Sequence, residues 1–151
     1  MGSDAEVVLG VIKAVEERDA EKLFELYHED VELHEAPSLP YGGTVKGVPS
    51  LKEQLESAPE ATWLGTWGPV QPTEDERRFD PRVISEKDGE VVVLYHMRAV
   101  APDGERFDSP VIGLYEVRDG KFFRAQMFHY DTQGINAFLK HAHETSVSNA
   151  A

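Results

Sequence analysis

Two short helical segments at the start of the chain and a long strand meander in its second half predict an α+β fold, with N-terminal helices packed on one face of a curved antiparallel sheet. Three observations carry this. Apolar residues recur at helical spacing in the first 27 residues; three Asp-Gly turn dipeptides punctuate the second half; and the segments between them are rich in valine, isoleucine and aromatics.

Ser3-Asp4-Ala5-Glu6 reads as a capping box, and Val7, Val8, Val11, Ile12 and Val15 follow on one face, predicting a helix over 5–17. Asp19 suits the cap of a second helix carrying Leu23, Phe24, Leu26 and Tyr27. From Val31 the pattern alternates: Val31, Leu33 and Glu35 share one side of a strand that Pro37 ends, with Glu32 and His34 on the other. Residues 37–49, punctuated by proline and glycine, read as a loop with a short strand at Thr44 to Lys46. Pro49 opens a third helix over 50–57. The segment 63–70 reads as an irregular strand and 72–81 as a polar surface loop. Asp88-Gly89, Asp103-Gly104 and Asp119-Gly120 then separate four antiparallel strands over 82–87, 90–100, 105–117 and 121–131. Ile135, Phe138, Leu139 and Ala142 make a last helical stripe before a small, polar end at 146–151 that is expected to fray.

Composition narrows the function classes. The 151 residues suit one domain over 1–151 with its core at about 5–140. With no cysteine, a disulfide scaffold, zinc fingers and a thiol nucleophile are excluded. Twenty-eight acidic residues against 15 basic leave a net charge of −13, which repels a phosphate backbone, so nucleic acid is not expected as a partner. The longest apolar run, Val91 to Tyr95, falls far short of the roughly 20 residues of a membrane span, and the N-terminus lacks a secretion signal pattern; a soluble, cytoplasmic protein is expected. No His/Asp/Glu cluster has convincing metal spacing and no phosphate-cradling glycine motif occurs, so neither metal nor nucleotide cofactor is expected.

The order of elements, with Leu39-Pro40-Tyr41-Gly42-Gly43-Thr44 through Gly47, resembles the nuclear transport factor 2 superfamily. That group includes SnoaL-like polyketide cyclases, ketosteroid isomerase, scytalone dehydratase and limonene epoxide hydrolase. The likeness covers residues 5–140 and is most specific at Met97-Arg98-Ala99, Gly113-Leu114-Tyr115-Glu116-Val117, Asp119-Gly120-Lys121 and Phe128-His129-Tyr130-Asp131. It implies a cone-shaped pocket, a hydrophobic small-molecule ligand and a pocket aspartate at the end of the final strand, which falls on Asp131. The epoxide hydrolases' Arg-x-Asp pair falls on Val93-Leu94-Tyr95. The isomerase's oxyanion tyrosine and second aspartate fall near Val11 and Pro110, while its carboxylate base falls on Glu35. With those two sets incomplete, the chain resembles the looser SnoaL-like group.

Strand parity extends this reading. If Asp131 faces the cone, so do His129, Met127, Ala125 and Phe123, while Phe122, Arg124, Gln126, Phe128 and Tyr130 face outward. His129 and Asp131, about 7 Å apart along one face, suit general acid and base; the alternative is that Asp131 caps the final helix at Thr132 and Gln133. Glu35 shares a face with core residues, either as a tuned carboxyl or as a solvated rim residue. Tyr95 offers an O–H donor to an oxyanion, or is a core tyrosine. The catalytic candidates are therefore Asp131, His129, Glu35 and Tyr95. Tyr41, Trp63, Trp67, Met97, Met127 and Asp108 are the substrate-binding candidates, Asp108 because its parity with Pro110, Ile112 and Leu114 points it toward the cone mouth. His96, Arg98, Leu94, Phe128 and Tyr130 on the outer sheet face suggest a homodimer interface, which the resemblance also implies. The expected function is a cofactor-free acid/base cyclase or isomerase. Epoxide hydrolysis, dehydration and a non-catalytic binding or interaction module are the alternatives.

Overall fold

The computed structural model describes residues 3–150. Helix α1 (Asp4–Glu16) is capped by Ser3, whose Oγ accepts from Glu6 N–H at 3.1 Å. Helix α2 (Ala20–Leu26) is capped by Asp19, whose Oδ1 accepts from Lys22 N–H at 3.1 Å. Strand β1 (Tyr27–Glu35) follows directly, so Tyr27 starts the strand rather than ending the helix. Strand β2 (Gly43–Lys46) folds back on it, and α3 (Val48–Ser57) carries Pro49 in its first turn, where the missing N–H costs nothing. Strands β3 (Arg82–Lys87), β4 (Glu90–Val100), β5 (Arg106–Arg118) and β6 (Lys121–His129) form the meander. Helix α6 (Thr132–Ala150) follows, its helical backbone running through 146–150 of the end expected to fray, while residue 151 lies outside the described residues.

The six strands form one curved, unclosed sheet in the order β2-β1-β6-β5-β4-β3. All pairs are antiparallel except β1 with β6, which run parallel; this joins the N-terminal half to the end of the meander. One face of the sheet is buried. Val31, Val91, Val93, Met97, Val111 and Ala125 are at most 2% exposed there, beneath α1 with its Val8, Val11 and Ile12. Among the described residues no helix is long and apolar enough to cross a membrane.

Three stretches differ from the sequence expectation. The segment 63–70 is helical, not a strand: a 3-10 turn (Pro59–Ala61), α4 (Trp63–Trp67) and a second 3-10 turn (Gly68–Val70). Thr62 sets this by capping Gly65 N–H at 3.0 Å, and Gly65 packs so closely on the Pro59 carbonyl that a side chain there would collide with it. The turn delivers Trp67 and Val70 into the core, 0% and 5% exposed. The loop 72–81 contains the short helix α5 (Glu74–Arg77), closed by a Thr73/Glu76 capping box that accounts for the buried Glu76. In β6, Glu116 pairs with Arg124 but Val117 pairs with Phe122, so Phe123 is an extra residue at a β-bulge. The bulge reverses the expected parity at this end. Phe122 turns inward, 2% exposed, stacking on Tyr27 with centroids 5.5 Å apart, while Phe123 turns out beneath the Arg118 guanidinium.

Candidate active site

The sheet, α1, α2 and the segment 41–63 enclose a cavity of about 270 Å³ with a mostly apolar wall. Val11, Val15 and Phe24 form its helical side; Leu33, Ala125 and Met127 form its sheet side; Trp63 and Phe79 close it from the loop side. The charged residues among the described lining are Arg18, Asp19 and Glu35.

Glu35 is the last residue of β1, where the alternation begun at Val31 points it inward beside Leu33. Its side chain is 11% exposed and that of His129, on the neighbouring β6, is 2% exposed. His129 Nε2 lies 3.3 Å from Glu35 Oε1, a long hydrogen bond. The tautomer follows from the surroundings. His129 Nδ1 is buried with no partner among the described residues. A lone pair left there costs less than an unsatisfied N–H, so Nε2 carries the proton and donates it to the carboxyl. Burial pushes Glu35 above its ordinary carboxyl value, and the His129 hydrogen bond opposes that shift.

Three tyrosines face this carboxyl. Tyr95 and Tyr115 extend inward from β4 and β5, and Tyr41 comes from the loop before β2; all three line the cavity. Burial holds each phenol well above its ordinary value, and the Glu35 charge adds to the shift in each. They are therefore O–H donors at any working pH. Tyr41 Oη and Trp67 Nε1 are buried without a hydrogen-bond partner among the described residues. Gly113 makes room for Tyr115, whose ring lies over it where a side chain would stand.

Of the residues singled out in the sequence, Glu35, Tyr95, Tyr41, Trp63 and Met127 line the cavity, and His129 stands behind Glu35. Trp67 and Met97 are fully buried core residues outside the lining. Asp108 is on the outer face: Ser109, Val111 and Tyr115 take the inward parity of β5, and Asp108 pairs with His96 at 2.8 Å and Arg98 at 3.2 Å. Asp131 does not face the cone. The strand stops at His129, Tyr130 is 83% exposed, and Asp131 Oδ1 caps α6 by accepting Gly134 N–H at 2.8 Å, one residue beyond the expected capping positions. Sequence reasoning missed Tyr115 and Arg18. Tyr115 was legible in the alternation Val111, Gly113, Tyr115, Val117, whose apolar ends mark the buried side of β5 better than Asp108 and Pro110 do.

This architecture matches known proteins. The SnoaL-like domain family matches residues 8–125. Among solved structures the chain is similar to TerC, crystallised with polyporic acid, at 24% identity and a TM-score of 0.72, over 91% of this chain and 98% of TerC. A cystatin-like protein of unknown function from Xanthomonas campestris aligns at 17% identity and a TM-score of 0.70, over 91% and 98% of the two chains. An NTF2-like protein of unknown function from Burkholderia pseudomallei aligns at 16% identity and 0.64, over 90% and 97%. No protein of curated function matches the sequence. The fold is thus of the NTF2-like and cystatin-like type, with a curved sheet and a helix-covered cavity. Within it, the chain belongs to the SnoaL-like domain family, which includes cofactor-free cyclases and isomerases.

Proposed function

We propose that this protein is a cofactor-free acid/base enzyme, a cyclase or isomerase acting on a hydrophobic carbonyl compound held in the cavity. The supporting observation is a nearly dehydrated carboxyl, Glu35, set in an apolar wall with one oxygen held by His129 and three tyrosines lining the same cavity.

The chemistry follows from these parts. Glu35 Oε1 is bonded to His129, which leaves Oε2 to take a proton from the carbon next to a ligand carbonyl. The C–H electron pair moves onto the carbonyl oxygen, and a tyrosine O–H, from Tyr95 or Tyr115, donates to the developing oxyanion. Returning the proton to a different carbon of the conjugated system gives isomerisation; attack of the carbanion on a second carbonyl carbon of the same ligand forms the ring C–C bond and breaks that C=O π bond, and Glu35 returns its proton to the resulting alkoxide. Both begin with the same transfer to Glu35. His129 is a positioning residue, because it meets the ligand only through the carboxylate. Asp131, capping α6, takes no part in this scheme.

The test is deuterium uptake at the α-carbon of 2-tetralone in D₂O, followed by NMR. The wild-type protein is expected to accelerate exchange over buffer, and Glu35→Gln to lose about 10²–10⁴-fold of that acceleration. Asp131→Asn retains it. Equal rates in wild type and Glu35→Gln overturn the assignment of Glu35, and binding of 2-tetralone without exchange favours a non-catalytic module.

A further inference from the structure

Arg18 stands at the edge of the cavity and has no role in the scheme above. It occupies the position just past the end of α1, where Arg18 N–H bonds Val15 O at 3.2 Å and Asp19 N–H bonds Ala14 O at 2.9 Å. That pair of bonds is the helix-ending motif that places its first external residue in the left-handed region, and Arg18 has φ +57°. Glycine fits this position without strain and arginine does not. The backbone therefore carries a conformational cost at Arg18.

The guanidinium has unused capacity. One terminal nitrogen donates to Val15 O at 2.9 Å and the other to Gln71 Oε1 at 2.6 Å. Gln71 is itself fully buried and anchored through Nε2 to Arg98 O at 2.8 Å, so it holds the guanidinium in place. The Nε–H and one further N–H on each terminal nitrogen have no acceptor among the described residues. The plane lies over the Trp63 ring, 5.6 Å from its centroid, and both residues line the cavity.

The local charge is unusual for this chain. Burial lowers Arg18 from its ordinary value and the nearby Arg77 adds to that shift; Arg77 itself donates to Gln71 O at 2.9 Å and Pro72 O at 3.5 Å. Neither guanidinium has a carboxylate ion-pair partner among the described residues, although the protein has 28 acidic side chains against 15 basic. The neighbouring Asp19 is occupied in capping α2. Two neighbouring guanidiniums without an ion-pair partner, one held beside an aromatic ring at the edge of an apolar cavity whose other charged lining residues are Asp19 and Glu35, form a receptor for an anion whose body is hydrophobic.

We infer that Arg18, backed by Arg77, binds a carboxylate on the ligand, so that the cavity selects apolar carboxylic acids, their rings in the pocket and their acid group at the Arg18 end. This rests on the reading of the cavity as the ligand site and deepens it by naming the substrate class. The probes are 2-naphthoate and its neutral isostere 2-naphthamide, titrated by calorimetry into wild type, Arg18→Gln, Arg18→Lys and Arg18→Gly. Wild type is expected to prefer the acid by at least about tenfold despite its net negative charge, and the preference to weaken on going from 50 to 500 mM salt. Arg18→Gln removes the preference while amide affinity changes less than about threefold. Arg18→Lys, which keeps the charge but not the fork, retains only part of it. Arg18→Gly suits the left-handed backbone, so its thermal midpoint holds or rises while the preference disappears; loss of preference cannot then be ascribed to misfolding. Equal binding of acid and amide by wild type, or a preference that survives in Arg18→Gln, overturns the carboxylate assignment and leaves the Glu35 chemistry standing. Failure of both probes to bind overturns this inference together with the cavity reading.

Discussion

Replacing Glu35 by glutamine tests the physics of the site separately from its chemistry. The folded protein holds the Glu35 carboxyl above its ordinary value because the group is buried, so the native state keeps this proton to higher pH than the unfolded chain does. The stability contributed by the protonated form is fully present below the unfolded value, about 4.3, and is lost as pH rises through the raised folded value. Glutamine stays neutral throughout and still offers an oxygen to His129 Nε2–H, so the hydrogen bond survives. Its advantage over glutamate therefore grows from about pH 4.3 upward and levels off once the folded carboxyl has ionised. With the side chain 11% exposed, solvent screens little of this. A gain of about 0.5–2 kcal/mol at neutral pH is expected, the usual size of a single stabilising substitution. For a chain of this length each kcal/mol corresponds to roughly 2–4 °C in midpoint temperature. Urea denaturation at half-unit steps from pH 4 to 8, with m compared between proteins, measures it. A stability difference that is flat across that range, or a variant that loses ground as pH rises, refutes the argument that burial governs this carboxyl.

Four further outcomes are expected. His129→Asn takes away the histidine's hydrogen bond, which holds Glu35 down, so the acid limb of the 2-tetralone exchange profile moves to higher pH; an unmoved limb contradicts the positioning role. Asp131→Ala removes the α6 cap and costs about 1 kcal/mol in urea denaturation with exchange unchanged, whereas a loss of exchange at unchanged stability would return Asp131 to the chemistry. Trp67→Ala empties a site with no solvent exposure and costs about 3–5 kcal/mol by the same measurement. On the outer sheet face Phe128 and Tyr130 are 49% and 83% exposed; if a second copy covers them, Phe128→Glu lowers the sedimentation coefficient from dimer to monomer, and an identical coefficient in both proteins places any dimer elsewhere.

Sequence by itself determined the elements whose signals are local. Ser3 and Asp19 cap the first helices because a short polar side chain before an apolar periodic run meets the same orphan N–H groups in any context. Asp88-Gly89, Asp103-Gly104 and Asp119-Gly120 place the turns of the meander because their backbones tolerate the conformations such turns demand: Asp88 and Asp119 have φ of +52° and +55°, and all three glycines are positive. The inward side of Glu35 was legible for the same reason, since period-two alternation from Val31 has no interruption. Tertiary structure decided the rest. The bulge at Phe123 depends on how β5 and β6 pair, which no residue in β6 announces, and it exchanges the faces of Phe122 and Phe123. The helical turns around Trp67 rest on the Thr62 cap together with the packing of Gly65 on Pro59, a contact between residues rather than a propensity of either. His129 and Glu35 are 94 residues apart and meet only because β1 lies parallel beside β6. Asp131 lies two residues beyond His129, but the strand has ended before it and the helix that begins there takes its carboxylate as a cap. The active-site candidates are thus a property of strand order: alternation says which side chains can face inward, and the long-range pairing of strands determines which of them share a cavity.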